Sequence, residues 1–204
     1  MSTPIRVLLA DDQALIRGAL AALLELEPNL QVVASVGTGD AAVAAAVELT
    51  PDVALLDVQM PGLDGLSATA AIRAQVPTCR ILVVTTFGRP GYLRRALEAG
   101  ASGLLVKDAS PDLLADAVRR VHSGLRVIDP ELAAESMTVG ASPLSGRERD
   151  VLLAARDGAP VSDIAQRLFL SEGTVRNHLS AAIGKTQAHT RAEAVRVADE
   201  NGWL

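Results

Sequence analysis

Apolar and polar positions change rhythm repeatedly along this chain, and each change predicts an element. Residues 5–11 (IRVLLAD), 30–36 (LQVVASV), 53–57 (VALLD), 80–86 (RILVVTT) and 103–107 (GLLVK) are short, nearly continuous apolar runs. That is the pattern of strands buried on both faces. Between them, residues 13–27, 40–49, 65–75, 90–100 and 110–124 read as Ala- and Leu-rich helices. Pro28, Pro51 and Pro77 close the first three. Pro90 opens the fourth and Gly100 ends it, and Ser110 with Pro111 supplies the cap and first position of the fifth. Apolar strands alternating with helices predict a doubly wound α/β domain around a five-stranded parallel sheet.

The rhythm breaks after residue 124. A short helix is expected from Pro130, and the small, polar residues 138–143 (TVGASP) read as a linker. Beyond it there is no strand pattern. Residues 145–156, 162–169, 171–185 and 190–203 read as four helices, with capping-box spacing at Ser145/Glu148 and Thr190/Glu193 and a further cap at Ser171. The expected organisation is an α/β domain over 1–123, a linker over 124–142 and an all-α four-helix domain over 143–204.

Composition narrows the class. The chain is 49% hydrophobic, 21% charged and only 2% aromatic, so its cores are built from Ala, Val, Leu and Ile. No apolar run approaches the ~20 residues that span a bilayer. Neither a signal peptide nor an internal disulfide is expected, since the first apolar run is short and Cys79 is the sole cysteine; a cytoplasmic protein is the expectation. The net charge is −5, but residues 143–204 carry eight basic and eight acidic side chains. Any nucleic-acid face on the helical domain is therefore local.

Chemistry in open parallel sheets collects at the carboxyl ends of the strands. There the first strand ends on Asp11 and Asp12, the third on Asp57, the fourth on Thr85 and Thr86, and the fifth on Lys107. Carboxylates that close repel one another unless a cation lies among them, and oxygen ligands suit a hard ion such as Mg²⁺. Asp57 is placed to attack phosphorus, Lys107 to balance phosphoryl charge and Thr85 to donate to a phosphoryl oxygen.

These stretches, LLADD, LLDVQMPGLDG, VVTT and GLLVKDAS, resemble the receiver domain of two-component response regulators, a flavodoxin-like fold, over residues 5 to about 123. The resemblance implies that Asp57 is the phosphoacceptor. It implies a Mg²⁺ site formed by Asp11, Asp12, Asp57 and the backbone carbonyl of Gln59, and switch roles for Thr85 and Lys107. Thr86 stands where a smaller Ala is usual, and Leu104 where many receivers carry a switch aromatic. Phe87, two residues past Thr85, is expected to cover the site and slow loss of the phosphoryl group; the alternative is that Gln59, two residues past Asp57, orients the hydrolytic water.

In the second domain, DIAQRLFLSEGTVRNHL places a short helix, a tight link around Phe169–Leu170 and a second, capped helix, the layout of a helix-turn-helix. Val175, Leu179, Ala182 and Ile183 form its apolar row. With PLSGRERDVL, Lys185 and RAEAV…GWL, the region resembles the LuxR-type helix-turn-helix of NarL/FixJ response regulators over 143–204. Pro160, Val161 and Thr186 depart from the usual residues. Thr174, Arg176, Asn177, His178, Lys185 and Arg191 are the candidate DNA contacts.

The combined expectation is a response regulator transcription factor, not an enzyme. A sensor histidine kinase would phosphorylate it, and it would then form a homodimer on promoter DNA, with RNA polymerase a further candidate partner and no membrane association. A phosphohydrolase with an aspartyl nucleophile is the rival from another class; it would need a second acid two residues past the nucleophile, where this chain has Gln59. A second rival is a phosphorylation-independent interaction module, or a sigma-factor-like helix-turn-helix with a degenerate receiver; the intact acid set argues against degeneracy. GTGDAA at 37–42 resembles a dinucleotide loop but follows the second strand and lacks a third glycine.

Overall fold

The structure, a computed structural model, describes residues 3–86, 90–130, 132–134 and 142–204. It divides into two compact units whose main boundary falls between Ala133 and Ala134.

The first unit is the alternating one. Its elements are β1 (Ile5–Ala10), α1 (Ala14–Glu25), β2 (Leu30–Val36), α2 (Gly39–Leu49), β3 (Val53–Asp57), α3 (Gly65–Gln75), β4 (Arg80–Thr85), α4 (Pro90–Glu98), β5 (Gly103–Val106), α5 (Pro111–His122) and β6 (Val127–Ile128). All strand pairs are parallel, in the order β2-β1-β3-β4-β5-β6. The expected sheet of five strands thus gains a sixth, in the segment read as linker. Gly124, at φ +90°, turns the chain back after α5, and Val127 then pairs with Gly103. A run of two residues is too short for periodicity to register. Pro130 and residues 132–134 are helical where a short helix was expected, and residues 135–141 of the linker lie outside the described set.

The sheet is covered on both faces along β1, β3, β4 and β5, as their unbroken apolar runs require, whereas β2, at the edge, is half-buried or exposed beyond Leu30. Val7, Leu9, Leu55, Leu82 and Val84 pack with Leu24 of α1 and with Leu114, Val118 and Val121 of α5. The intervening residues Leu8, Ala54, Leu56, Ile81 and Val83 face the other way and are equally buried. Each such Val, Leu or Ile side chain contributes about 1.5–3 kcal/mol relative to exposure. Cys79 belongs to this packing: it is buried, and burial pushes its thiol up to about 11.

The second unit holds α6 (Gly146–Ala154), α7 (Val161–Leu168), α8 (Glu172–Lys185) and α9 (Arg191–Glu200). Val151, Leu152, Ile164, Val175, Leu179, Ala182, Ala194 and Ala198 form its core. The Ser145/Glu148 capping box is complete, each side chain accepting from the other residue's backbone N–H. The second one is half made. Thr190 accepts from the Glu193 N–H, but the Glu193 carboxylate takes the His189 N–H at 2.8 Å instead.

Candidate functional site

The strand order places β1 and β3 side by side while their following connections part to β2 and β4, which opens a crevice at the carboxyl ends. Ala10 pairs with Leu56 and Asp57 with Val84, so Asp11, Asp57 and Thr85 leave the sheet at nearly one level. One oxygen from each of Asp11, Asp12 and Asp57 can lie within 4.8 Å of the others. Asp11 and Asp57 are buried, and Asp12 is exposed at the mouth.

Lys107 completes the group. Its Nζ lies 2.7 Å from Asp11 Oδ2 and 3.3 Å from Asp57 Oδ2, with all three side chains buried. The backbone N–H of Lys107 donates to the Thr85 carbonyl at 2.8 Å, which ties the ends of β4 and β5 together. Thr85 itself is buried beside them. Burial raises the Asp57 carboxyl above the ordinary carboxylate range; the Lys107 charge pulls it back, and the Asp11 charge adds to the rise. Asp57 Oδ1 also accepts from the Val58 N–H at 2.9 Å, which fixes the rotamer and leaves Oδ2 toward Lys107.

The loop after Asp57 is shaped by its glycines. A Cβ on Gly65 would stand 1.8 Å from the Asp57 carbonyl oxygen, and Gly62 sits at φ +74°. Gln59 is exposed on this loop. Phe87, expected over the site, lies outside the described residues. Leu104 is fully buried in β5, so the position read as lacking a switch aromatic is a core position here. Arg17, not singled out from the sequence, donates from NH1 to the Asp11 carbonyl at 2.5 Å.

On α8 the apolar row is as the periodicity predicts: Val175, Leu179 and Ala182 are buried, while Arg176 and Asn177 are exposed and Thr174 and His178 are half-buried. Thr174 also contributes its N–H and hydroxyl to the Ser171 cap. The link to α7 turns at Phe169, which adopts φ +56° and is 95% exposed. Two of the expected DNA contacts have partners inside the unit. Lys185 Nζ is held by Glu148, and Arg191 donates to the carbonyls of Ala159 at 2.6 Å and Gly158 at 3.1 Å. Arg176 pairs with Glu172 one turn back.

Residues 7–119 match the response regulator receiver domain family, and residues 142–198 match the family of bacterial regulatory proteins, luxR family. The chain belongs to the response regulators. It is 41% identical over 200 residues to the transcriptional regulatory protein DesR of Bacillus subtilis (strain 168), covering 98% of this chain and 99% of that one. It is 36% identical to the response regulator RamR of Streptomyces coelicolor, with each chain covered in full. Among solved structures it is similar to the response regulator ChrA of a heme-sensing two-component system, at 32% identity and TM-score 0.60 over the whole of both chains. This response regulator is accordingly a transcriptional regulator with a receiver and a LuxR-type DNA-binding region. Among its described residues no helix is long and apolar enough to cross a membrane.

Proposed function

We propose that Asp57 accepts a phosphoryl group from a sensor histidine kinase in the cytoplasm, and that the phosphorylated chain dimerises and binds promoter DNA through α8. The observation that carries this reading is the buried Asp11–Lys107–Asp57 arrangement at the crevice, with Asp12 beside it.

The residues fit a hard divalent cation. Three carboxylates converge within ligand distance, and oxygen donors of this kind are the set that Mg²⁺ accepts alongside water and phosphate. Asp11, Asp12, Asp57 and the Gln59 carbonyl would hold it, and its charge would offset that of an incoming phosphoryl group. The chain's own residues do the rest. An Asp57 oxygen bonds to phosphorus as the bond from phosphorus to the donor breaks, and the donor leaves with that electron pair. Lys107, already against Asp57, shifts its charge to the new phosphoryl oxygens. The Thr85 hydroxyl donates to one of them and so reports phosphorylation to β4.

Gln59 offers an amide where a phosphohydrolase would need an acid, which favours a regulator over an enzyme. On α8, Arg176 and Asn177 are the exposed side chains able to read base edges, with Thr174 and His178 beside them. Lys185 and Arg191 reach DNA phosphates only by sharing their present partners. RNA polymerase is the partner through which a bound dimer would act on transcription.

The test is intact-mass analysis after incubation with acetyl phosphate and Mg²⁺. Wild type should gain one phosphate, Asp57→Asn none, and Asp12→Ala should gain it more slowly at a given Mg²⁺ concentration. A full-occupancy phosphate on Asp57→Asn would overturn the assignment.

A further inference from the structure

The stretch that leads from β2 into the start of α2, Gly37-Thr38-Gly39-Asp40, is the GTGD motif that the receiver reading leaves without a role. It touches both loops that carry the acidic site. On one side the end of β2 accepts the Asp11 N–H at the Val36 carbonyl, 3.1 Å away. Directly after it, a Cβ on Gly37 would stand 3.3 Å from Arg17 NH1 and 3.9 Å from the Asp11 carbonyl oxygen. The Arg17 guanidinium therefore reaches the Asp11 carbonyl by lying across a residue that has no side chain to obstruct it.

On the other side the turn meets the loop after Asp57. A Cβ on Gly39 would stand 2.0 Å from the Leu63 carbonyl oxygen, so only glycine permits this approach. Asp40 Oδ2 accepts from the Leu63 N–H at 3.3 Å, and Gly62 packs against the same carboxylate, where a Cβ would come within 2.8 Å. Thr38 fixes the turn itself by capping α2 at the Ala41 N–H, 3.2 Å away.

We propose that Arg17, Gly37, Gly39 and Asp40 form a brace that holds the Asp11–Asp12 loop and the 58–64 loop at a fixed separation, and that this separation sets the affinity of the acid trio for a divalent cation. The proposal rests on the Mg²⁺ and phosphoacceptor reading above. Arg17 and Asp40 are positioning residues: neither is placed to ligate the ion; Arg17 fixes the backbone of Asp11, and Asp40 fixes Leu63 in the loop that also carries Gln59. Groups that orient ligands in this way commonly alter metal affinity by about 10–100-fold when removed. The glycines serve the same end, because a methyl at either position would displace Arg17 or push the Leu63 carbonyl away.

The experiment uses the full chain and two readouts. Mn²⁺, a spectroscopic stand-in for Mg²⁺, is titrated by water proton relaxation without any phosphodonor. Phosphorylation by acetyl phosphate is then followed against Mg²⁺ concentration. Arg17→Ala and Asp40→Asn should each weaken Mn²⁺ binding by about tenfold. They should raise the half-saturating Mg²⁺ concentration by a like factor, with the wild-type rate recovered at high Mg²⁺. Arg17→Lys should keep part of the effect, and thermal unfolding should show each variant folded at the assay temperature. Unchanged Mn²⁺ affinity in both Arg17→Ala and Asp40→Asn overturns the brace, as does a rate deficit that Mg²⁺ fails to rescue. Failure of the underlying reading looks different: wild type itself would bind no Mn²⁺, or Asp57→Asn would still be phosphorylated.

Discussion

Lys185 Nζ lies 3.0 and 2.8 Å from the two carboxylate oxygens of Glu148, so the last residue of α8 is tied to the cap that starts α6. Glu148 is almost fully buried and also receives the Ser145 N–H, whereas the Lys185 side chain is 42% exposed. Lys185→Ala leaves a capped but unpaired carboxylate. Solvent on the lysine side keeps the expected loss near the lower end of the about 1.5–3 kcal/mol typical of hydrogen bonds to charged groups. Chemical denaturation followed by circular dichroism, resolving the helical unit, measures it; an unchanged midpoint would show that the pair is not stabilising.

The same pair gives a pH dependence with a definite sign. Hydrogen bonds from Lys185, first, and from the Ser145 backbone hold the Glu148 carboxyl below its ordinary value of 4.5. A depressed carboxylate contributes stability that is fully present above the unfolded value and is lost as pH falls through the folded one. Glu148→Gln should therefore be less stable than wild type at pH 7. The difference should begin to shrink below about pH 4.5 and close in more acid solution. A deficit that widens on acidification would contradict the assignment.

Gly65 carries the tightest backbone approach of any described glycine, and it faces the site. A Cβ there would lie 1.8 Å from the Asp57 carbonyl oxygen, against backbone that cannot swing aside. The Gly65 N–H also donates to Val58 at 3.0 Å, so the loop cannot open without losing that bond. Gly65→Ala should cost about 3 kcal/mol or more, the upper range for overpacking a rigid site. Thermal unfolding should show it, and a change below about 0.5 kcal/mol would mean the loop repacks freely.

Much of this was legible from the chain alone, for reasons that differ by element. Strands buried on both faces announce themselves as unbroken apolar runs, so β1, β3, β4 and β5 were readable. Their carboxyl ends then located Asp11, Asp57, Thr85 and Lys107. Less readable were contacts made by residues whose local pattern is ordinary. Arg17 looks like a solvated helix residue until its reach across Gly37 is seen. Lys185 looks like a cation free for phosphate, because nothing local shows that Glu148, 37 positions earlier, folds beside it. β6 is illegible because two residues carry no period, and the half-made cap of α9 because the Thr190/Glu193 spacing does not show that Glu193 takes the His189 N–H.

Phe169 ends α7 in the left-handed region at φ +56°, with its ring 95% exposed. A side chain there is strained by roughly 1–2 kcal/mol, and exposure this complete offers little packing in return. Glycine removes the strain but adds freedom to the unfolded chain, about 0.5–1 kcal/mol in the other direction. Phe169→Gly should therefore leave the helical unit equally stable or more stable by up to about 1 kcal/mol. A clear loss on thermal unfolding would show that the ring packs against something in solution.

Arg176 is exposed in the second turn of α8, on the flank of the Val175–Leu179 row, and Glu172 holds its guanidinium one turn back. An exposed pair of this spacing stabilises a helix by only about 0.3–0.5 kcal/mol, so DNA can displace the glutamate readily. A bidentate Arg–guanine contact discriminates by about 1–3 kcal/mol, well above that cost. Arg176→Ala should weaken binding of the phosphorylated chain to its preferred duplex and relax the preference at one position per half-site. The duplex is one enriched by wild type from a random-sequence pool. Glu172→Gln should act in the opposite direction, since it frees the guanidinium and removes an acid from the same turn. Its affinity should rise most at low salt, where the lost repulsion from phosphate is least screened. Salt-titrated binding on preferred and scrambled duplexes separates the two effects. If Arg176→Ala keeps the wild-type preference, α8 does not read sequence through this residue. If Glu172→Gln weakens binding, the pair prepares Arg176 for DNA rather than competing with it.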